Sequence, residues 1–431
     1  MTLGVSLDKP RSLGQLCVLT PSNVGDLMRR MKQMIARAGL LAAVLIASGG
    51  PVYAAACPGP AGFNQWLQGF KQEAIAQGIS PRTASALDGL TYDPATIAKD
   101  RGQGVFAQAF TQFAGRMVSS NRMQVGLSLL KKHANTFARI EQEYGVPGPV
   151  LVAFWGLETD FGQVMGKLET LRSLATLSYD CRRPKEFQEQ LLYALRVIER
   201  GDLAPVQMRG PAHGEVGQFQ FQPKNYFEHG VDFDGDGKRD LIRSAPDSLA
   251  SAANYIRSIG WQAGQPWLEQ VRVPQDLPWD QADVTIKKPR SFWAQHGVTY
   301  LNGGAIPADD TPVGLVLPMG RNGPAFLAYP NFDVYLEWNN SLVYCTTAAY
   351  YASRLAGGPV LSKGNGPIQP LSLAETKELQ QLLTRRGFDV GKIDGVVGAQ
   401  SRAAIRTVQL EYGLPADAYP TAELLSRMRA G

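Results

Sequence analysis

Apolar residues recur at helical spacing through the first half of the chain, as in Phe106, Phe110, Phe113 and Met117 and then Leu127, Leu130, Phe137 and Ile140. The stretch from Phe63 to about Glu199 is therefore expected to be helical. A stop falls at Tyr144-Gly145-Val146-Pro147-Gly148-Pro149, which ends one helix and supplies prolines suited to the first turn of the next. That next helix opens on Val150-Leu151-Val152-Ala153-Phe154 and continues into Trp155-Gly156-Leu157-Glu158-Thr159, which places Glu158 near its end. From Gln265 to Phe332 the texture changes to short runs (Val271, Val273, Val284, Ile286, Val298, Tyr300, Leu315, Leu317) broken by Pro, Gly and Asp-Asp. A small strand-containing insertion is predicted there. Helical spacing resumes at Tyr335 and runs to about Leu355; Gly357 to Pro370 then reads as a flexible linker. The segment from Leu371 onward makes a separate unit of roughly sixty residues, near the lower size for independent folding. The fold class expected is mainly α.

With 431 residues, 44% of them hydrophobic and 19% charged, the chain can bury one large core plus a second unit and is not a disordered protein. A net charge of +5 and a pI near 8.9 are mild and spread out, and no basic run is interleaved with aromatics. That argues for tolerance of an anionic matrix and against a nucleic-acid surface. At the N-terminus Met28, Arg29, Arg30, Lys32 and Arg37 flank an apolar core from Leu40 to Ala47, followed by Ala54-Ala55-Ala56. Residues 1–56 thus read as a signal peptide with an over-extended start, and the apolar core is short for a bilayer span. Periplasmic export follows. Of the four cysteines, Cys17 would leave with the signal; a Cys57–Cys181 bridge with Cys345 buried and free is the expected pairing. The alternative is a lipid on Cys57, which would anchor the protein to the outer membrane.

A carboxylate set after so apolar a run is exposed to desolvation, which raises its pKa toward the range of a proton donor. Glu158 is the leading catalytic acid, and the residues alone equally allow a structural Glu that caps or salt-bridges the helix edge. Ordinary glycoside hydrolysis needs two carboxyls about 5–9.5 Å apart. Asp160 cannot be the second, since an i,i+2 pair on a helix points about 200° apart. Either another acid comes from elsewhere or the reaction uses one. Gly217-Gln218-Phe219-Gln220-Phe221-Gln222-Pro223, followed by Asn225 and Tyr226, alternates amides with aromatics and suits either a polysaccharide cleft wall or a polar loop or edge strand. Asp232, Asp234 and Asp236, then Gly237, match the first half of an EF-hand loop, but position twelve is Arg243. Asp247 would close a longer version, with Lys238 giving a backbone carbonyl. The four histidines (His133, His213, His229, His296) lack zinc spacing and no phosphate loop occurs, so no organic cofactor is expected.

Taken in order, Phe154 to Gly162, Tyr179 to Arg183, Gly217 to Pro223, Val231 to Asp247 and Asn254-Tyr255 resemble the membrane-bound lytic transglycosylase B family over about residues 60 to 356. Gly387 to Gly398, with Ser401, Arg402, Ala404, Ile405 and Gln409, is similar to the small three-helix peptidoglycan-binding module. The resemblance implies a lysozyme-like helical core at 57–356, a linker at 357–370 and a wall-binding domain at 371–431. It also implies cleavage of the β-1,4 bond between N-acetylmuramic acid and N-acetylglucosamine without water. A single Glu protonates the leaving oxygen and then, as carboxylate, takes the proton of the muramoyl C6 hydroxyl, closing a 1,6-anhydro ring. By position Glu158 is that acid and base, Gln220 the cleft amide, Tyr255 a cleft tyrosine, and Asn339, Ser341 and Tyr344 the cleft-lining segment. Asp232, Asp234, Asp236, Lys238 and Asp247 match an extended calcium loop. Trp338, Gln222 and Lys224 depart from the usual pattern. The expected partner is a peptidoglycan strand and the expected state a monomer; a hydrolytic muramidase and a non-catalytic wall-binding scaffold are the alternatives.

Overall fold

The computed structural model describes residue 57, residues 59–102 and residues 108–431. The signal-peptide reading, Cys17 and Phe106 lie outside the described residues. The helix Gly148–Thr159 buries ten of its twelve residues, from Gly148 through Val150–Leu157 to Thr159. Apolar residues on all of its faces are the reason, since such a helix has no side to give to solvent. Around it pack Ser120–Lys132, Ala134–Tyr144, Ala245–Ser258 and Leu342–Leu355. Gly156 permits a close approach of Leu342–Leu355: a Cβ there would lie 3.1 Å from Tyr351, and 2.9 Å from Phe161 in the turn that follows. Leu127, expected on an apolar face, is instead exposed.

The insertion forms a five-stranded antiparallel sheet in the order β4-β6-β7-β3-β5, from β3 (Leu268–Arg272), β4 (Lys288–Pro289), β5 (Thr299–Tyr300), β6 (Pro312–Val316) and β7 (Ala325–Ala328). Side chains alternate between its faces. Leu268, Val316, Phe326 and Ala328 join the helical core. Val271, Leu315 and Leu327 belong to a second core with Trp279 and Trp293. An earlier pair, β1 (Leu168–Glu169) and β2 (Arg209–Gly210), is two residues long.

Helical structure past the sheet is not continuous from Tyr335 to Leu355. It breaks into Pro330–Trp338 and Leu342–Leu355, because Asn339 Oδ1 accepts from Ser341 N at 2.9 Å and Ser341 Oγ from Tyr344 N at 3.3 Å, starting a new helix. The segment after it lacks regular structure, as its Pro and Gly content predicts, but it is not free. Gln270 of β3 grips it from both ends of one amide, accepting from Ser362 N at 2.7 Å and donating to Val360 O at 3.2 Å. Tyr350 accepts from Leu361 N at 2.9 Å and Asn365 donates to Val273 O at 2.9 Å.

Three helices follow, Leu373–Arg385, Ala399–Glu411 and Ala422–Ala430. They share a small core of their own that includes Leu379, Leu383, Ile405, Val408, Leu424 and Leu425. This unit is docked on the rest: Arg406 pairs with Asp283, Arg402 donates to Leu317 O at 3.3 Å, and Arg321 N donates to Asp417 at 2.9 Å. Near the start of the described chain Cys57 is disulfide-bonded to Cys181, and Cys345 is buried with a free thiol. No described helix is long and apolar enough to cross a membrane.

Candidate active site

Glu158 stands one residue from the end of its helix, and the backbone turns sharply after it. Asp160 and Phe161 both adopt left-handed φ values, 51° and 62°, which L-residues adopt at a cost and which cluster at functional sites. Asp160 points away to an ion pair with Arg122 at 3.1 Å, so it is no second acid.

The Glu158 carboxyl receives two donors on one oxygen: Trp338 Nε1 reaches Oε1 at 2.9 Å, and the Tyr344 hydroxyl donates to the same atom. Both donors come from the far end of the chain, on either side of the helix break at Asn339–Ser341. Aromatic rings enclose the group. Trp338 lies 4.5 Å from Phe154, 5.9 Å from Phe221, 5.5 Å from Tyr255 and 6.4 Å from Phe219. Removal from water therefore pushes the Glu158 carboxyl up; the two donors oppose the shift without reversing it, and the nearby charge of Glu215 adds to it. Burial and the Glu158 charge likewise push the Tyr344 hydroxyl well up, which leaves it a neutral donor.

The amide–aromatic segment forms a tight turn closed by the Val216–Phe221 bridge. Its buried rings, Phe219 and Phe221, face the Trp338 cluster. Gln220 sits at φ 51°, and its amide donates to Gly217 O at 2.9 Å, holding its own turn. The turn is fastened to the Glu158 helix by Thr159 Oγ1 donating to Gln218 O at 2.7 Å.

The acidic loop gathers Asp232, Asp234 and Asp247, whose carboxylate oxygens lie within 4.8 Å of one another. Gly235, Asp236 and Gly237 donate their amides to Asp232, and the two glycines have φ of 79° and 89°, values that suit Gly. Asp247 is buried in the first turn of Ala245–Ser258 and accepts from the amides of Phe233, Asp234 and Asp240. Arg243, at position twelve, turns to Asp240 at 2.6 Å, whereas Asp247 turns toward Asp232 and Asp234. Asp236 and Lys238 stand on the exposed stretch, joined by a 2.9 Å bond from the Lys238 amide to Asp236.

Residues 62–353 match the transglycosylase SLT domain, and residues 372–428 match a peptidoglycan binding domain. The chain belongs to the transglycosylase SLT domain family. SltB3 of Pseudomonas aeruginosa, solved in complex with NAG-anhNAM-pentapeptide, is 40% identical with a TM-score of 0.79, over 85% of this chain and 99% of that one. The lytic transglycosylase Slt35 of Escherichia coli, solved in complex with calcium, is 25% identical with a TM-score of 0.58, over 67% of this chain and 92% of that one. Membrane-bound lytic murein transglycosylase B of Escherichia coli is 29% identical over 244 residues, which is 55% of this chain; the match spans 64% of that relative's length.

Within this transglycosylase fold, Glu158 and Tyr344 are in direct contact and Tyr255 joins them through Trp338. Asn339 and Ser341 make helix-start bonds beside them and do not touch the Glu158 carboxyl. Trp338, noted from the sequence only as a departure, is a direct partner of the acid. Glu215 was missed, because nothing in Gly214-Glu215-Val216 signals burial.

Proposed function

We propose that this protein is a lytic transglycosylase that cleaves the β-1,4 bond between N-acetylmuramic acid and N-acetylglucosamine and leaves a 1,6-anhydro muramoyl end. The observation that carries this reading is the Glu158 carboxyl, desolvated by a cage of aromatic rings and pushed up toward a proton donor's range. Protonated Glu158 gives its proton to the glycosidic oxygen as the bond from C1 breaks. The resulting carboxylate is stabilised by Trp338 and Tyr344 and takes the proton of the C6 hydroxyl, whose oxygen bonds to C1. The proton count closes with no water consumed. One side chain serves both steps in this reading; the anhydro muropeptide bound in the SltB3 structure supports the anhydro end of the product. In this reading Gln220 and Tyr255 line the glycan cleft, and Asn339 and Ser341 set the pose of Tyr344.

The chain would divide into an exported leader (1–56), a catalytic domain (57–356), a linker (357–370) and a wall-binding domain (371–431), working as a periplasmic monomer on peptidoglycan. Bonding of Cys57 to Cys181 favours a soluble form over a lipid-anchored one. The acidic loop suits calcium, since its donors are all hard oxygens and no Lys or Arg pairs with Asp232, Asp234 or Asp247 among the described residues. Asp232, Asp234, Asp236, Asp247 and the Lys238 carbonyl would hold the ion, which would offset their repulsion and brace the turn beneath the cleft. Mass spectrometry of digested sacculi tests the main claim. Anhydro muropeptides are expected; reducing-end products would make the protein a hydrolase with Glu215 as its second acid, and binding without release would make it a scaffold.

A further inference from the structure

The inserted sheet frames a cavity that the cycle at Glu158 does not use. Strand β5 is cut short by a turn in which Tyr300 N donates to Gly304 O and Gly303 N to Tyr300 O, each at 2.9 Å. It therefore pairs only with Val271 and Arg272 of β3, and the start of β3, from Leu268 to Gln270, has no strand on that side. A cavity of about 620 Å³ fills the gap between this open edge and the C-terminal end of Leu342–Leu355. That volume falls within the range of small-molecule sites, about 300–1,000 Å³. None of its lining residues belongs to the aromatic cage around Glu158. Tyr350, which does line it, stands about 9 Å along the helix axis from Tyr344.

The cavity mixes ring surface with polar groups that are only partly used. Trp267 and Tyr300 are half-buried and Tyr350 is buried along its lining. Arg290 Nε donates to Asp309 at 3.1 Å and Nη1 donates to the Tyr329 hydroxyl at 3.2 Å, which itself donates to Glu269 Oε2 at 2.8 Å. With a further bond from Nη2 to Asp309, these still leave Arg290 with N–H groups to spare. Among the described residues nothing donates to Glu269 Oε1, and nothing bonds the Tyr300 hydroxyl or the Asn302 amide nitrogen. The charge of Arg290 is already met by Asp309, so Glu269 gives the site a surplus negative charge. Phosphate and the carboxylates of a stem peptide are repelled by that surplus. An uncharged sugar suits it: hydroxyls donate to Glu269 and accept from Arg290, an acetamido group pairs with Asn302 and Tyr300, and its ring and methyl faces meet the aromatic lining.

We propose that this cavity is a second saccharide site, which binds an uncharged N-acetylated sugar of the glycan strand away from the bond that is cut. The inference rests on the peptidoglycan reading above for its choice of sugar and makes no use of the role given to Glu158.

Tri-N-acetylchitotriose is the probe, since it carries N-acetylated rings and lacks the muramoyl residue at which the strand is cut. Crystals of the purified full chain soaked in it should hold a sugar ring against Glu269 and Arg290. Calorimetry should then show a binding event that Glu269→Gln weakens about tenfold or more, the effect of losing a hydrogen bond to a charged group. Tyr300→Phe removes a single oxygen and should weaken the same event. Melting curves of both variants should match the native protein; where Glu269→Gln melts lower, Tyr300→Phe decides alone. A cavity left empty in the soaked crystal overturns the proposal. So does occupancy at crystal concentration only, with native and variant isotherms alike, or preference for a lysine-rich peptide over the sugar, which would make the site a cation binder. Reducing-end products from sacculi would refute the Glu158 reading instead and leave the occupancy of this cavity as found.

Discussion

Replacing Glu158 by Gln separates charge from shape. The amide oxygen can still accept from Trp338 and Tyr344, the two donors that meet Oε1, and the side chain keeps its length, so the aromatic cage is preserved. A positioned acid–base group contributes roughly 10²–10⁴ in rate, and turnover should fall by at least that much. Stability should move the other way. Hydrogen bonds to a charged acceptor are worth about 1.5–3 kcal/mol each, so the two donors favour the carboxylate by about 3–6 kcal/mol. The group is nonetheless pushed up, because desolvation together with the nearby charge of Glu215 outweighs the two donors. A carboxyl raised in the folded state binds its proton more tightly there than in the unfolded chain. Its contribution to stability is fully present below the ordinary Glu range, near pH 4.5, and is lost as pH rises through the folded-state value. Gln carries no charge and escapes the loss. Glu158→Gln should accordingly melt above the native protein at neutral and alkaline pH, with the gap closing as pH falls toward 4. Release of muropeptides from sacculi and melting curves at several pH values read both effects. Native turnover by the variant, or a melting gap equal at pH 4 and pH 8, would refute the argument.

Chelation should lower the melting temperature, because without a cation the oxygens of Asp232, Asp234 and Asp247 are left within 4.8 Å of one another; a ligand at a hundred times its Kd adds about 2.7 kcal/mol to stability. An unchanged melt, with no metal found by elemental analysis, would remove the ion. Reducing and alkylating the Cys57–Cys181 bond frees a loop with a sequence separation of 124, a change worth about 2–5 kcal/mol. A fall of several degrees in melting temperature is expected, and no fall would mean that the bond does not restrain the unfolded chain.

Legibility in the sequence followed locality. The Glu158 helix could be read because a run apolar on every side has only one place to go, and Glu158 at its end inherits the desolvation. The acidic loop could be read because Asp232, Asp234, Asp236 and Gly237 act within one turn, and Asp247 is only a helix start away. Trp338 and Tyr344 could not be read as partners of the acid: they reach it across 180 and 186 residues, and no pattern within either segment encodes that meeting. Resemblance supplied Tyr344 by position but gave Trp338 only as an exception. Glu215 had neither route, since nothing in its local sequence marks the burial of its Oε2. Composition marks the stretch from Gly357 to Pro370 as flexible, which describes how loosely an isolated chain behaves; side chains distant in sequence, Gln270 and Tyr350, hold it in the fold.

Those long-range contacts converge on one element. The helix Leu342–Leu355 presents Tyr344 to the Glu158 carboxyl at its N-terminal end, and Tyr351 locks it to the core by donating to Arg122 O at 2.7 Å. At its C-terminal end it meets the sheet, where Trp267 Nε1 donates to Ala349 O and to Ser353 Oγ, and Tyr350 holds the segment leading to the last three helices. The Asn339–Ser341 break gives this helix its own start, so its pose is set by the cap and by these three anchors and not by Pro330–Trp338 before it. Trp338 and Tyr344 reach Oε1 from opposite sides of that break. The angle between two short helices therefore fixes how well the carboxylate is stabilised, and if Glu158 plays the acid–base role proposed above, substitutions at the cap should disturb the second proton transfer more than the first.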